Sequence, residues 1–171
     1  FDETVKKSLE RSVGIRILNQ EPWETLCSFI ISQNNNIPRI KKIVSSLCEL
    51  CGDDVEGCKM KSFPSAQKVY SLGIDGLAPI KSGFRAKYII SAAESVVSGK
   101  INFDKLKKSD YLSAEKQLME IKGVGPKVAD CVLLFGLGFK EAFPIDVWIK
   151  RVISKYYGDN FTPEYFGKYA G

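Results

Sequence analysis

The chain has 171 residues, 44% of them apolar, which is enough for a buried core in one domain or two small lobes. Its 25 basic residues outnumber 20 acidic ones to give a net charge of +5, a balance that permits a nucleic-acid partner without requiring one. Histidine is absent, so Ser-His-Asp and Cys-His catalysis, His-ligated zinc and imidazole acid–base chemistry are all excluded, and any catalysis falls to Lys, Asp, Glu, Cys or Tyr.

Helical periodicity runs through almost every segment. After Pro22, the residues Trp23, Leu26, Cys27, Ile30 and Ile31 share one face, and beyond the polar turn SQNNN a second stripe follows at Ile37, Ile40, Ile43, Val44 and Leu47. Ser65 is placed to cap a short helix through Val69 and Leu72, and Phe84, Tyr88, Ile89, Ala92 and Val96 mark a longer one that ends near Ser98-Gly99. Ser113 is placed to cap a helix through Leu118 and Ile121, which leads into Gly-Val-Gly and then a helix running from Pro126 to Gly136 or Gly138. Asp146 can cap another through Trp148, Ile149, Val152, Ile153 and Tyr156, and Thr162-Pro163 opens a last one. No alternating strand pattern emerges, so the expected fold is all-α, with two helices meeting at a Gly-Val-Gly turn within about residues 113–138.

The five cysteines are odd in number, and Cys27 and Cys131 fall in apolar helical patterns, which suits a reducing, cytoplasmic compartment. Cys48, Cys51 and Cys58 lack a fourth nearby thiol and no His can replace it, so neither a metal nor an iron–sulfur cluster is expected there. No apolar run approaches the length of a membrane span, and no signal-peptide pattern is present. The opening FDETVKKSLE, without an initiator Met, reads as part of a longer protein.

The stretch IKGVGPKVADCVLLF breaks a local rule. Lys127 stands in the first turn of an apolar helix, where the positive end of the helix dipole disfavours a cation by about half a kcal/mol. That terminus and an apolar pocket both favour the neutral amine, which is the nucleophilic form. Two helices joined by Gly123, Val124 and Gly125 form a hairpin whose backbone N–H groups can hold a phosphate. Asp146, one helix and a return loop later, can sit at a second helix N-terminus facing the same cleft, either as an ordinary N-cap or as an oriented carboxylate that stabilises positive charge.

The hairpin with its lysine, followed by P-I-D, resembles the helix-hairpin-helix Gly/Pro-Asp superfamily of DNA glycosylases, and CSFIISQNNNIPRI and SGFRAKYI resemble segments of its 8-oxoguanine branch. The likeness extends from about Trp23 to Trp148 and implies two small helical lobes around a cleft, in one catalytic region spanning 1–171 with its helix-hairpin-helix at about 113–138. It implies a bifunctional glycosylase and β-lyase that removes 8-oxoguanine opposite cytosine from double-stranded DNA, as a monomer and without a cofactor apart from a monovalent cation at the hairpin. It implies Lys127 as nucleophile and Schiff-base former, Asp146 as essential carboxylate, and Gly123, Val124 and Gly125 as the phosphate grip. Asn34 matches the residue that fills the space of the flipped nucleotide, Arg39 and Arg85 match readers of the orphaned cytosine, and Phe84 matches an aromatic wedge. Cys131, Phe135 and Pro144 fall where the family builds its base pocket. Alone, Phe84, Phe135 and Cys131 would read as core residues, and Asn34 to Asn36 as caps.

Trp148 replaces a histidine usual in animal members, which points to the bacterial or archaeal side. The chain also reads as lacking an N-terminal β-domain and the last helices, which would leave the base pocket incomplete. The neighbouring reading is an endonuclease III type acting on oxidised pyrimidines, which usually carries a four-cysteine cluster after the Asp helix; no Cys follows Cys131. The reading from another class is a non-catalytic helix-hairpin-helix module that grips DNA backbone.

Overall fold

The computed structural model describes residues 3–158, and its regular structure there is helical: α1 (Glu3–Arg11), α2 (Pro22–Ser32), α3 (Ile37–Cys51), α4 (Ala66–Gly76), α5 (Ala86–Val97), α6 (Phe103–Leu106), α7 (Tyr111–Met119), α8 (Pro126–Val132) and α9 (Val147–Tyr157). Among the described residues no strand forms, and the only β pairing is an isolated bridge between Asp54 and Lys61.

The helix α2 is the hub, packing against α3, α5, α8 and the turn after α8. The whole predicted stripe Trp23, Leu26, Cys27, Ile30 and Ile31 is buried, and the indole of Trp23 donates to the Pro64 carbonyl at 2.9 Å, which pins the loop before α4. A single cluster of buried apolar side chains joins α2 to α3, α4, α5, α7 and α8. The helices α1 and α9 add no buried residue to it.

Several expectations change at helix ends. The cap of α7 is Asp110, whose carboxylate accepts from the Ser113 amide at 2.9 Å, so Ser113 lies inside the first turn. The Ser113 hydroxyl and amide together hold the Asp110 carboxyl below its ordinary range. Ile37 is 69% exposed because it is the first residue of α3, directly after the Asn36 cap and ahead of the turn that reaches the core. Phe84 precedes α5, in a 3₁₀ turn spanning Gly83–Arg85, and is half exposed. The apolar stripe predicted for α9 finds no core among the described residues, and the helix expected at Thr162-Pro163 lies outside them.

Two packing details seat α8. Gly123, with φ of +89°, lies so close to α5 that a Cβ there would fall 2.3 Å from Cγ of Tyr88. On the opposite side, the buried carboxyl of Asp130 accepts from the Tyr111 hydroxyl at 2.7 Å, tying α8 to α7.

Gly123→Ala combines a left-handed backbone with a clash into an aromatic ring and should cost about 2–4 kcal/mol. Gly125→Ala, where no atom lies within 4 Å of the added Cβ and φ is −105°, should leave urea melts nearly unchanged. Equal melts for the two variants would contradict the packing of the hairpin on Tyr88.

Burial raises the Asp130 carboxyl above its ordinary range, with the Tyr111 hydrogen bond pulling the other way. A carboxyl raised in the folded state stabilises fully below the unfolded carboxylate range, and that contribution is lost as pH climbs through the folded value. Asp130→Asn keeps an acceptor for Tyr111 and removes the ionisation, so its melting temperature should match or exceed the parent at neutral pH, with the advantage vanishing in acid. Tyr111→Phe strands the buried carboxylate and should cost about 1–3 kcal/mol.

Candidate active site

The hairpin aims the lysine. Gly125 is the N-cap of α8, Pro126 fills a first-turn position that needs no N–H donor, and Lys127 follows one residue later, half-buried. Its Nζ lies 5.0 Å from the centroid of the Phe29 ring on α2, within cation–π range. Phe29 is itself stacked on Phe135, with centroids 5.7 Å apart and planes 17° from parallel. Phe135 reaches that position because the backbone after α8 widens into a π-turn at Leu133–Leu137, closed by Gly138 at φ of +79°. Gly136 in this turn lets the backbone come close to Pro22.

These side chains wall a cavity of about 590 Å³, in the range of small-molecule sites, and Lys127, Asp146, Cys131, Phe135 and Pro144 all line it. The five residues expected for catalysis and the base pocket are thus brought together. Asp146 is the N-cap of α9, its Oδ1 accepting from the amides of Trp148 at 2.9 Å and Ile149 at 2.8 Å. The cap reading is therefore correct as geometry, and it fixes the carboxylate on the cavity wall. Burial pushes the Cys131 thiol up to about 11, against the opposing pull of the adjacent Lys127 amine. At neutral pH Cys131 is a polarisable thiol and offers no competing thiolate.

A second group of residues gathers around the bend between α2 and α3. The three asparagines divide their work: Asn35 Nδ2 donates to the Ile31 carbonyl at 3.0 Å, and Asn36 caps α3 by accepting from the Arg39 amide at 3.0 Å. Asn34 is the exposed residue at the bend, with φ of +46°, a conformation Asn tolerates better than most. Arg39 is exposed, reaching the Lys81 carbonyl at 3.5 Å. Phe84 projects beside them and lies against the Tyr88 ring edge-on, with centroids 6.0 Å apart.

Arg85, matched to the second reader of the cytosine, is turned inward. It is 2% exposed, lies 4.4 Å from the Phe84 ring centroid, and donates to the carbonyls of Gln33, Asn34 and Ser82. Burial, and then the nearby Arg39 charge, lower its affinity for a proton. Val124 is also turned inward: its side chain is buried and its amide donates to the Ile121 carbonyl at 3.0 Å, so it anchors the hairpin, while Gly123 is half-buried and Gly125 exposed. The carbonyls of Ile121 and Gly123 accept from Val124 N and Gln33 Nε2.

Phe29 and Gln33 were not anticipated. Phe29 falls off the core stripe of α2, and an aromatic at that position just before a polar turn is the signal that could have exposed it. Gln33 carries no such mark, because its partner is 90 residues distant.

The family described as HhH-GPD superfamily base excision DNA repair protein matches residues 27–166. An N-glycosylase/DNA lyase of Saccharomyces cerevisiae is 40% identical over 158 residues, covering 84% of this chain and 42% of the yeast protein. A probable N-glycosylase/DNA lyase of Methanothermobacter thermautotrophicus is 29% identical, covering 99% of this chain and 61% of that protein. The structure of the Clostridium acetobutylicum 8-oxoguanine glycosylase/lyase in complex with double-stranded DNA containing cytosine opposite 8-oxoguanine superposes with a TM-score of 0.87 at 34% identity, over 98% of this chain and 59% of that one. The chain thus spans about half the length of the yeast relative and somewhat more of the other two. With a helical fold, a glycine hairpin and a lysine and an aspartate on one cavity wall, this chain belongs to the HhH-GPD superfamily of base excision DNA repair proteins.

Proposed function

We propose that this chain is the helical catalytic region of a DNA glycosylase and β-lyase that removes 8-oxoguanine opposite cytosine from duplex DNA. The observation that carries the proposal is the shared cavity wall, which an amine, a capped carboxylate and a stacked aromatic pair all line. A nucleotide rotated out of the stack would place its base against Phe29 and Phe135 and its sugar between Lys127 and Asp146. Extrusion costs a few kcal/mol, offset by contacts from Asn34 in the vacated space and Phe84 at the neighbouring step.

The neutral Lys127 amine attacks C1′ of the sugar. The bond from C1′ to the purine breaks with its electron pair on the departing base, which takes up a proton. Positive charge developing on the sugar is stabilised by the Asp146 carboxylate. The C1′–N adduct opens the sugar ring to a Schiff base, a proton leaves C2′, and the 3′ phosphate departs by β-elimination. Arg39, the exposed guanidinium on this face, supplies donors matched to the acceptors of an unpaired cytosine. Arg85 supports that face from within.

Borohydride should trap a covalent adduct with duplex DNA carrying 8-oxoguanine opposite cytosine, and Lys127→Gln should abolish trapping while lesion-duplex binding persists. Trapping by the Gln variant would assign the chemistry to another amine. Asp146→Asn preserves the cap and should melt like the parent, yet lose two or more orders of magnitude in single-turnover excision, about 3 kcal/mol of transition-state stabilisation. Excision at the parental rate would reduce Asp146 to a cap.

Affinity should fall steeply with salt, as expected for a few neutralised phosphates. Arg39→Ala should narrow the rate difference between substrates with cytosine and with other bases opposite the lesion. An unchanged ratio would remove Arg39 from base reading.

A further inference from the structure

Gln33 joins two parts of the DNA-facing surface that are remote in sequence. Its side-chain Nε2 donates to the Gly123 carbonyl at 2.9 Å, and its backbone carbonyl accepts from Arg85, with Nε at 2.9 Å. The same guanidinium holds the Asn34 carbonyl at 2.8 Å and the Ser82 carbonyl at 3.2 Å. Three segments are thereby tied through one residue: the bend bearing Asn34, the turn bearing Phe84, and the hairpin. Gln33 and Gly123 are both half-buried, so water competes only partly for this bond.

We infer that Gln33 is a positioning residue that couples the hairpin's grip on backbone phosphate to the insertion of Asn34 into the duplex. This rests on the glycosylase reading above. A hairpin seated on a phosphate fixes the Gly123 carbonyl, the carbonyl fixes the Gln33 amide, and Arg85 holds the Gln33 and Asn34 carbonyls together. Asn34 then enters the helix at a set height above the hairpin. Without the amide, the hairpin still binds backbone and the bend still forms, but neither constrains the other.

The test measures binding, so it does not depend on turnover. Affinities are compared for an undamaged duplex and for one carrying a tetrahydrofuran abasic analogue opposite cytosine, using the parent, Gln33→Met, Gln33→Glu, Asn34→Ala and the Gln33→Met/Asn34→Ala pair. Met matches the length of Gln without a donor, and a carboxylate cannot donate to a carbonyl. Both substitutions should weaken abasic-duplex binding about fivefold to tenfold, the worth of one hydrogen bond, while undamaged-duplex affinity stays within about twofold. Asn34→Ala should be costly in the parent and nearly silent in Gln33→Met, since coupled residues are non-additive. Additive losses, or parallel losses on both duplexes, would overturn the coupling. A parent that does not prefer the abasic duplex would overturn the glycosylase reading itself, whereas a preference that Gln33→Met retains in full would overturn only the role of Gln33.

Discussion

With no side chain at Gly123 and a φ of +89°, the hairpin backbone rests directly against the ring of Tyr88. That approach sets where α8 begins, because Pro126 and Lys127 follow within one turn. It also brings the Gly123 carbonyl within reach of Gln33. A side chain at this position would lift the hairpin away from α5 and carry Lys127 away from Phe29. The site depends on a backbone-to-ring contact before it depends on any charged group.

Polar groups around α8 are arranged by depth. Asp130, facing α7, is buried and satisfied by Tyr111, so it serves as an internal tether. Asp146 lies at the rim, where two amides orient it and leave it facing the cavity. Lys127 reaches the same space across the Phe29 ring. The basic residues of the neighbouring face split in the same way, Arg39 exposed and Arg85 inside, holding carbonyls. Like residue types thus take opposite tasks according to burial, which fixes whether a charge meets solvent or a fixed dipole.

Local rules made much of this legible. The stripe of α2 is amphipathic enough to read directly, and Lys127 was conspicuous because it violates helix electrostatics. The Asp146 cap followed from its place ahead of an apolar helix, and the glycine hairpin from its spacing. What could not be read depends on distance in sequence. The inward turn of Arg85 requires the carbonyls of Gln33 and Asn34, some fifty residues away, to converge on it. The stacking of Phe135 on Phe29 requires a π-turn, which no helical periodicity announces. An apolar stripe also does not say what covers it, and among the described residues that of α9 meets no core.

The two tryptophans of the chain occupy opposite environments. Trp23 is 6% exposed, its indole bonded to the Pro64 carbonyl in the core, while Trp148 is 70% exposed at the start of α9, with the Arg151 guanidinium 4.8 Å from its ring centroid. Their fluorescence should therefore separate: blue-shifted emission shielded from aqueous quenchers for Trp23, and red-shifted, quencher-accessible emission for Trp148. The molecule thus carries one intrinsic optical reporter of its folded core and another beside the Asp146 rim, distinguishable without a label.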